Sequence, residues 1–232
     1  MKKIRLFCFP YAGRGASMYT ACVEYFKPAI EVIALQLPGR EERVLETPCV
    51  SMPSLVEDCL EQMRFYLDLP FAFFGHCLGA FLAYELALKI EDELNRTPMN
   101  FFVSSCPAPH IHYVKNPVHA LSGEIFLEKI NAISVDDRNR NLNANISTVL
   151  LPTLKSDFAL YENYVHVNPL LLPCPIYVFS GLNDAYVTTE TVMAWEKLTT
   201  QNFKSQSFLG DHLYIHHALL DVMAVVKKEL LL

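Results

Sequence analysis

The run Phe71 to Ala80 reads Phe-Ala-Phe-Phe-Gly-His-Cys-Leu-Gly-Ala, an apolar stretch closed by a Gly-x-Cys-x-Gly turn. Continuous hydrophobicity is the mark of a strand buried on both faces, and Leu78, Phe81, Leu82, Leu86 and Ile90 then recur at helical spacing. A strand that passes directly into a helix here must bend so sharply that the central residue is held in strained backbone geometry. Small residues two positions to either side, Gly75 and Gly79, avoid the resulting clash. Cys77 is therefore expected at the start of a helix, where unpaired amides and the helix dipole favour a thiolate and the Leu78 amide points toward an oxyanion. The bland reading, a buried core cysteine, suits Cys8, Cys22, Cys49, Cys59, Cys106 and Cys174, none of which stands between glycines at such a junction.

Strand-like and helix-like segments alternate along most of the chain, the pattern of a mostly parallel sheet covered on both faces. The strands are expected at Ile4 to Phe9, Glu31 to Gln36, Phe71 to Gly75, Asn100 to Ser104, Ile176 to Ser180 and Lys204 to Phe208. Helices are expected over Ser17 to Phe26, Ser51 to Leu67, Leu78 to Glu93, Thr189 to Leu198 and Leu213 to Leu230. With 232 residues, 52% of them hydrophobic, the chain suits one α/β domain spanning 1–232 with an ample core. The alternation breaks between Cys106 and Pro173. Helical patterns at Gly123 to Ile130 and Leu150 to Tyr164 flank a polar stretch, Asp136 to Asn141, which reads as a mobile loop. A structureless loop of that length is implausible in a compact domain. The expected organisation is a core of 1–106 and 173–232 with a helical lid insertion at 107–172, lying over the carboxyl end of the sheet where ligands of such folds bind.

A formal charge of −6 with no basic run argues against nucleic acid or an anionic membrane surface as the main partner. No stretch reaches the roughly 18 apolar residues that span a bilayer, and the apolar start is short and interrupted by Arg5, so it reads as a strand and not as a signal peptide. Seven scattered cysteines, an odd number, suit a reducing compartment, so a cytoplasmic location is expected.

A thiolate nucleophile needs a base and a group to orient it. Ile176 to Asp184 is an apolar strand ending in Gly-x-x-Asp, and Phe208 to His212 is another strand end with a histidine just before the last helix. Asp184 has two readings, an acid that orients the base or a cap for a helix beginning near Thr188 or Thr189. Asp211 is a rival acid, but neighbours on an extended chain point in opposite directions. Of the eight histidines, His212 alone combines a strand end with an acid upstream. The order nucleophile, acid, histidine is that of the α/β-hydrolase fold.

Leu6 to Gly13, Gln36 to Arg43, Pro70 to Ala80, Leu151 to Phe158 and the segments ending in Asp184 and His212 together resemble the type II thioesterases, the stand-alone editing enzymes of polyketide and nonribosomal peptide assembly lines. The resemblance spans nearly the whole chain. It implies an α/β-hydrolase core, a helical lid and a triad of Cys77, Asp184 and His212. It also implies acyl groups delivered as thioesters on the phosphopantetheine of an acyl or peptidyl carrier protein. No bound cofactor or metal is expected, and the enzyme is expected to be a monomer. It assigns the second oxyanion donor to the amide of Tyr11 or Ala12, beside that of Leu78, and Arg14 becomes a candidate for the phosphopantetheine phosphate. No catalytic role falls on Pro38 to Arg43, whose charges can fix a loop. The chain departs from the family in Cys77 where serine is usual, in Tyr11 and Arg14 where histidine and glycine are common, and in Asn131-Ala132-Ile133 where Gly-Gly-Thr is usual. Acyl transfer to a cysteine is nearly balanced and reversible, so passage of the acyl group to a second carrier is the alternative to hydrolysis.

Overall fold

In a computed structural model of the chain, residues 3–131, 144–166 and 168–232 are described. Six strands, β1 (Ile4–Phe9), β2 (Ile30–Ala34), β3 (Phe71–His76), β4 (Phe101–Ser104), β5 (Ile176–Gly181) and β6 (Phe203–Phe208), form one sheet in the order β2-β1-β3-β4-β5-β6. Every pairing is parallel. Parallel neighbours require crossovers, and these are supplied by α1 (Thr20–Phe26), α2 (Met52–Met63), α3 (Leu78–Leu94) and α6 (Thr189–Met193), while α7 (Ile215–Leu231) closes the chain.

Both faces of the sheet are covered, and the strand period divides the core in two. In β3, Phe71 and Phe73 face a cluster built with α2 and α3, whereas Ala72 and Phe74 face one built with α1 and α7. The continuous apolar run of β3 follows from burial on both sides. β6 lies at the edge, and its Lys204 to Ser207 are exposed, the polar composition that protects an open edge.

The strand positions agree with expectation to within two residues, β2 ending at Ala34 and not at Gln36. Three expected helices carry 3-10 turns at an end: Ala16–Tyr19 before α1, Arg64–Tyr66 after α2 and Ala194–Leu198 after α6. The tighter turn is frequent at helix termini.

Between β4 and β5 the chain forms α4 (Gly123–Asn131) and α5 (Ala144–Glu162). α4 packs on α5 through Phe126, Ile130 and Leu154, and α5 packs on α3. There the Phe81 ring stacks on Tyr164 at 4.2 Å and on Tyr161 at 5.5 Å. The polar stretch Asp136 to Asn141 and the positions Ala132-Ile133 lie outside the described residues. The strand order reverses between β1 and β3, which makes the carboxyl ends of these two strands the switch point at which ligands of open α/β sheets bind.

Candidate active site

β3 delivers Cys77 to that switch point in the geometry the sequence requires. Its φ is 51° and its ψ is −120°, a conformation that side chains other than glycine rarely adopt. The turn closes only because its flanks are glycine: a Cβ on Gly75 would stand 2.4 Å from the Gly79 carbonyl oxygen, and one on Gly79 would stand 2.3 Å from that of Phe9. The Cys77 amide donates to the Ser104 carbonyl at 2.9 Å, tying the turn to β4, and α3 starts immediately at Leu78. An amide in a first helical turn has no acceptor in its own helix, which leaves that of Leu78 available to an oxyanion.

The loops after β5 and β6 bring an acid to a histidine. Leu182 and Asn183 donate backbone hydrogen bonds to Phe208 and Gly210 at 2.8 and 2.9 Å, lashing the loops together. His212 Nδ1–H then donates to Asp184 Oδ2 at 2.9 Å, while Asp184 Oδ1 accepts from the amides of Tyr186 and Val187 at 2.9 and 3.0 Å. The helix-cap reading of Asp184 fails, since Thr188 caps α6 with its own side chain. Asp211 is occupied as well, accepting from the Leu213 amide at 2.8 Å.

Burial disfavours a charged His212, yet hydrogen bonds to Asp184 and Cys77 and the charges on both outweigh it, raising its pKa from 6.5 to about 10. Asp184 shifts downward: burial opposes the charge, and the His212 hydrogen bond and charge, with the two amides, overcome it. With Nδ1 held by the carboxylate, Nε2 is the ring nitrogen left for chemistry at Cys77.

Cys77, His212, Tyr11 and Ala12 line a cavity of about 390 Å³ to which the segment between β4 and β5 contributes His112, Phe158 and Tyr161. Tyr11 and Ala12 follow β1, and the Tyr11 carbonyl accepts from the Arg14 amide at 3.0 Å in a tight turn. Arg14 is half-buried and is not among the lining residues; its Nε donates to the Tyr11 hydroxyl at 2.9 Å. That hydroxyl also bonds His216 Nε2 at 2.5 Å. Among the described residues no group of histidines, cysteines and carboxylates could hold a metal ion, and no helix is long and apolar enough to cross a membrane.

His76, inside the turn, is fully buried and bonded through Nδ1 to Ser104 Oγ at 2.8 Å. Burial and the neighbouring His212 hold its pKa well below the usual imidazole range, so it remains neutral beside the Asp184–His212 pair. Sequence reasoning did not single out the residues that α5 contributes to the cavity. The signal was there in the recurrence of Leu154, Asp157, Phe158 and Tyr161 along one face of α5.

The thioesterase domain family matches residues 4–228. The chain belongs to the thioesterase family. It is 35% identical over 228 residues to the gramicidin S biosynthesis protein GrsT of Aneurinibacillus migulanus, covering 98% of this chain and 89% of that one. The crystal structure of ClbQ from the colibactin NRPS/PKS pathway superposes with a TM-score of 0.92 at 30% identity, covering 97% of this chain and 96% of the other. The type II thioesterase BorB of the borrelidin biosynthetic cluster superposes at 0.90 with 28% identity, covering 97% and 92%. The resemblance to type II thioesterases read from the motifs is thus borne out, and so is the α/β-hydrolase fold. This thioesterase is an enzyme of the hydrolase class.

Proposed function

We propose that this thioesterase hydrolyses acyl groups carried as thioesters on the phosphopantetheine arm of an acyl or peptidyl carrier protein, with Cys77 as nucleophile, His212 as acid and base, and Asp184 as the group that orients His212. The observation that carries this reading is the His212 imidazole, bonded through Nδ1 to Asp184 and lining the same cavity as Cys77. Relatives named for gramicidin S biosynthesis and for an NRPS/PKS pathway support an assembly line as the source of the substrate.

The His212 cation is the charge partner of a Cys77 thiolate. The sulfur attacks the thioester carbonyl, and the Leu78 amide and that of Tyr11 or Ala12 receive the oxyanion. As the carbon–sulfur bond to the arm breaks, His212 Nε2 gives its proton to the departing thiolate. The neutral imidazole then takes a proton from water, whose oxygen attacks the acyl-cysteine. Collapse releases the carboxylic acid and restores the thiolate and imidazolium.

In this reading residues 1–232 form one domain, and 107–172 are a lid that keeps bulk water from the acyl-enzyme. Arg14, next to the cavity loop, meets the phosphate of the arm, so Arg14→Ala weakens carrier-bound substrates more than small thioesters. The seven free cysteines support a reducing compartment, the cytoplasm, and the enzyme acts there as a monomer.

Intact-protein mass spectrometry after mixing with an acylated carrier tests the reading. The acyl mass should appear on the wild-type chain, be absent from Cys77→Ala, and decay to free acid. Release of acid with no dependence on Cys77 overturns the assignment.

A further inference from the structure

Several polar groups that line the cavity have no role in the chemistry at Cys77, and Tyr161 and His112 are two of them. Tyr161, on the last turns of α5, lines the cavity, packs against the cluster that contains Cys77, and stacks its ring on Phe81. Its hydroxyl has no hydrogen-bond partner among the described residues. Burial, then the neighbouring Cys77 and Cys106 sulfurs, push its pKa well above that of a free phenol, so the oxygen keeps its proton and remains a donor.

His112 lines the same cavity, its ring centroid 4.7 Å from that of Tyr161. His112 Nε2 lies 2.8 Å from the Tyr161 carbonyl oxygen, which can only accept, so the proton sits on Nε2. Burial lowers the pKa of the ring against the opposing effects of that carbonyl and of Glu162, which keeps the imidazole neutral. Nδ1 is thereby fixed as an acceptor. The cavity lining therefore includes a donor on Tyr161 and an acceptor on His112, carried on rings 4.7 Å apart, together with Lys115, Asn116, Glu162 and Thr191.

We infer that the Tyr161 hydroxyl and His112 Nδ1 read a hydroxyl substituent close to the thioester carbonyl, which makes hydroxyacyl groups the preferred substrates. This rests on the thioesterase reading and names its substrate class. A substrate hydroxyl accepts from Tyr161 and donates to His112 with the same oxygen. An ammonium has no lone pair for Tyr161. A trans amide points its N–H and C=O in opposite directions and cannot serve two groups on adjoining rings. A plain alkyl chain leaves both protein groups desolvated and unpaired, and sites that hydrogen-bond a substrate hydroxyl discriminate against analogues lacking it for this reason.

The test compares kcat/KM for butyryl-, 2-hydroxybutyryl- and 3-hydroxybutyryl-pantetheine in the wild-type protein and in Tyr161→Phe, which keeps the stacked ring. One hydroxybutyryl isomer should exceed butyryl by about tenfold in the wild type, and Tyr161→Phe should collapse that ratio toward unity. Equal wild-type turnover of all three thioesters overturns the inference while leaving the hydrolase intact. Equal loss for all three in Tyr161→Phe also overturns it, assigning Tyr161 to packing alone. No wild-type turnover of any of them removes the thioesterase reading and this one with it.

Discussion

Asp157 grips the Arg40 guanidinium with both carboxylate oxygens, at 2.6 Å to Nη1 and 2.8 Å to Nη2, and both side chains are buried. The carboxylate also accepts from the Gly13 amide at 2.7 Å, and Arg40 Nη1 donates to the Arg14 carbonyl at 3.1 Å. One ion pair thus joins α5, the loop after β2 and the loop after β1 that carries Tyr11 and Ala12. Removing one partner strands a buried charge, so Asp157→Leu should lower unfolding free energy by roughly 3–5 kcal/mol. Urea unfolding of Asp157→Leu and of the double variant with Arg40→Met checks this. The double variant should regain most of the loss, and additive losses would refute a charge-pair origin.

The pairing of His212 with Asp184 predicts distinct losses. His212→Ala should abolish turnover, and Asp184→Asn should reduce it by roughly 10²–10⁴-fold with the fold intact. Steady-state rates on an acyl carrier, with circular dichroism as the control for folding, are the measurement. Near-wild-type rates in His212→Ala would end the case for it as base.

The same pair makes a signed prediction for stability against pH. The folded pKa of His212, about 10, lies above its ordinary 6.5, so its charge contributes stability that is fully present below pH 6.5 and is lost as pH rises through about 10. Asp184, shifted downward, stays ionised throughout that window. The difference in Tm between the wild type and His212→Gln should therefore shrink between pH 6.5 and 10. A difference that is flat or grows over this range contradicts the assigned charge.

Replacing Cys77 with serine separates hydrolysis from transfer. The acyl-enzyme changes from a thioester, which another thiol readily takes, to an ester that favours water. If Cys77 serves transfer between carriers, Cys77→Ser should lose acyl delivery to a free-thiol carrier more severely than it loses hydrolysis. For a hydrolase the two acceptors should not separate. Wild-type release of free acid with no acyl group on the acceptor carrier would reject the shuttle for that pair.

Periodicity and turn chemistry made much of this legible from the residues alone. The run Phe71 to Phe74 could satisfy its hydrophobicity only between two covered faces, and Gly75 and Gly79 fixed where the chain bends because any Cβ there would strike backbone. Cys77, Asp184 and His212 were readable because each closely follows a strand, and parallel strands place such ends at one edge. Whether Asp184 capped a helix or met His212 was open, since both uses require the same residue at the same position. The backbone bonds between the loops after β5 and β6 decided it. Residues on α5 behaved differently. Asp157 and Tyr161 are separated from their partners Arg40 and Cys77 by long stretches of chain. A helical pattern states which residues share a face, but it says nothing of what that face meets. The sequence by itself determined the strand–turn–helix that brings the cysteine to the cavity, because local sterics and burial admit few alternatives. Only the tertiary structure decided which groups line the cavity around it, because that depends on where α5 docks, a sum of contacts between segments remote in the chain.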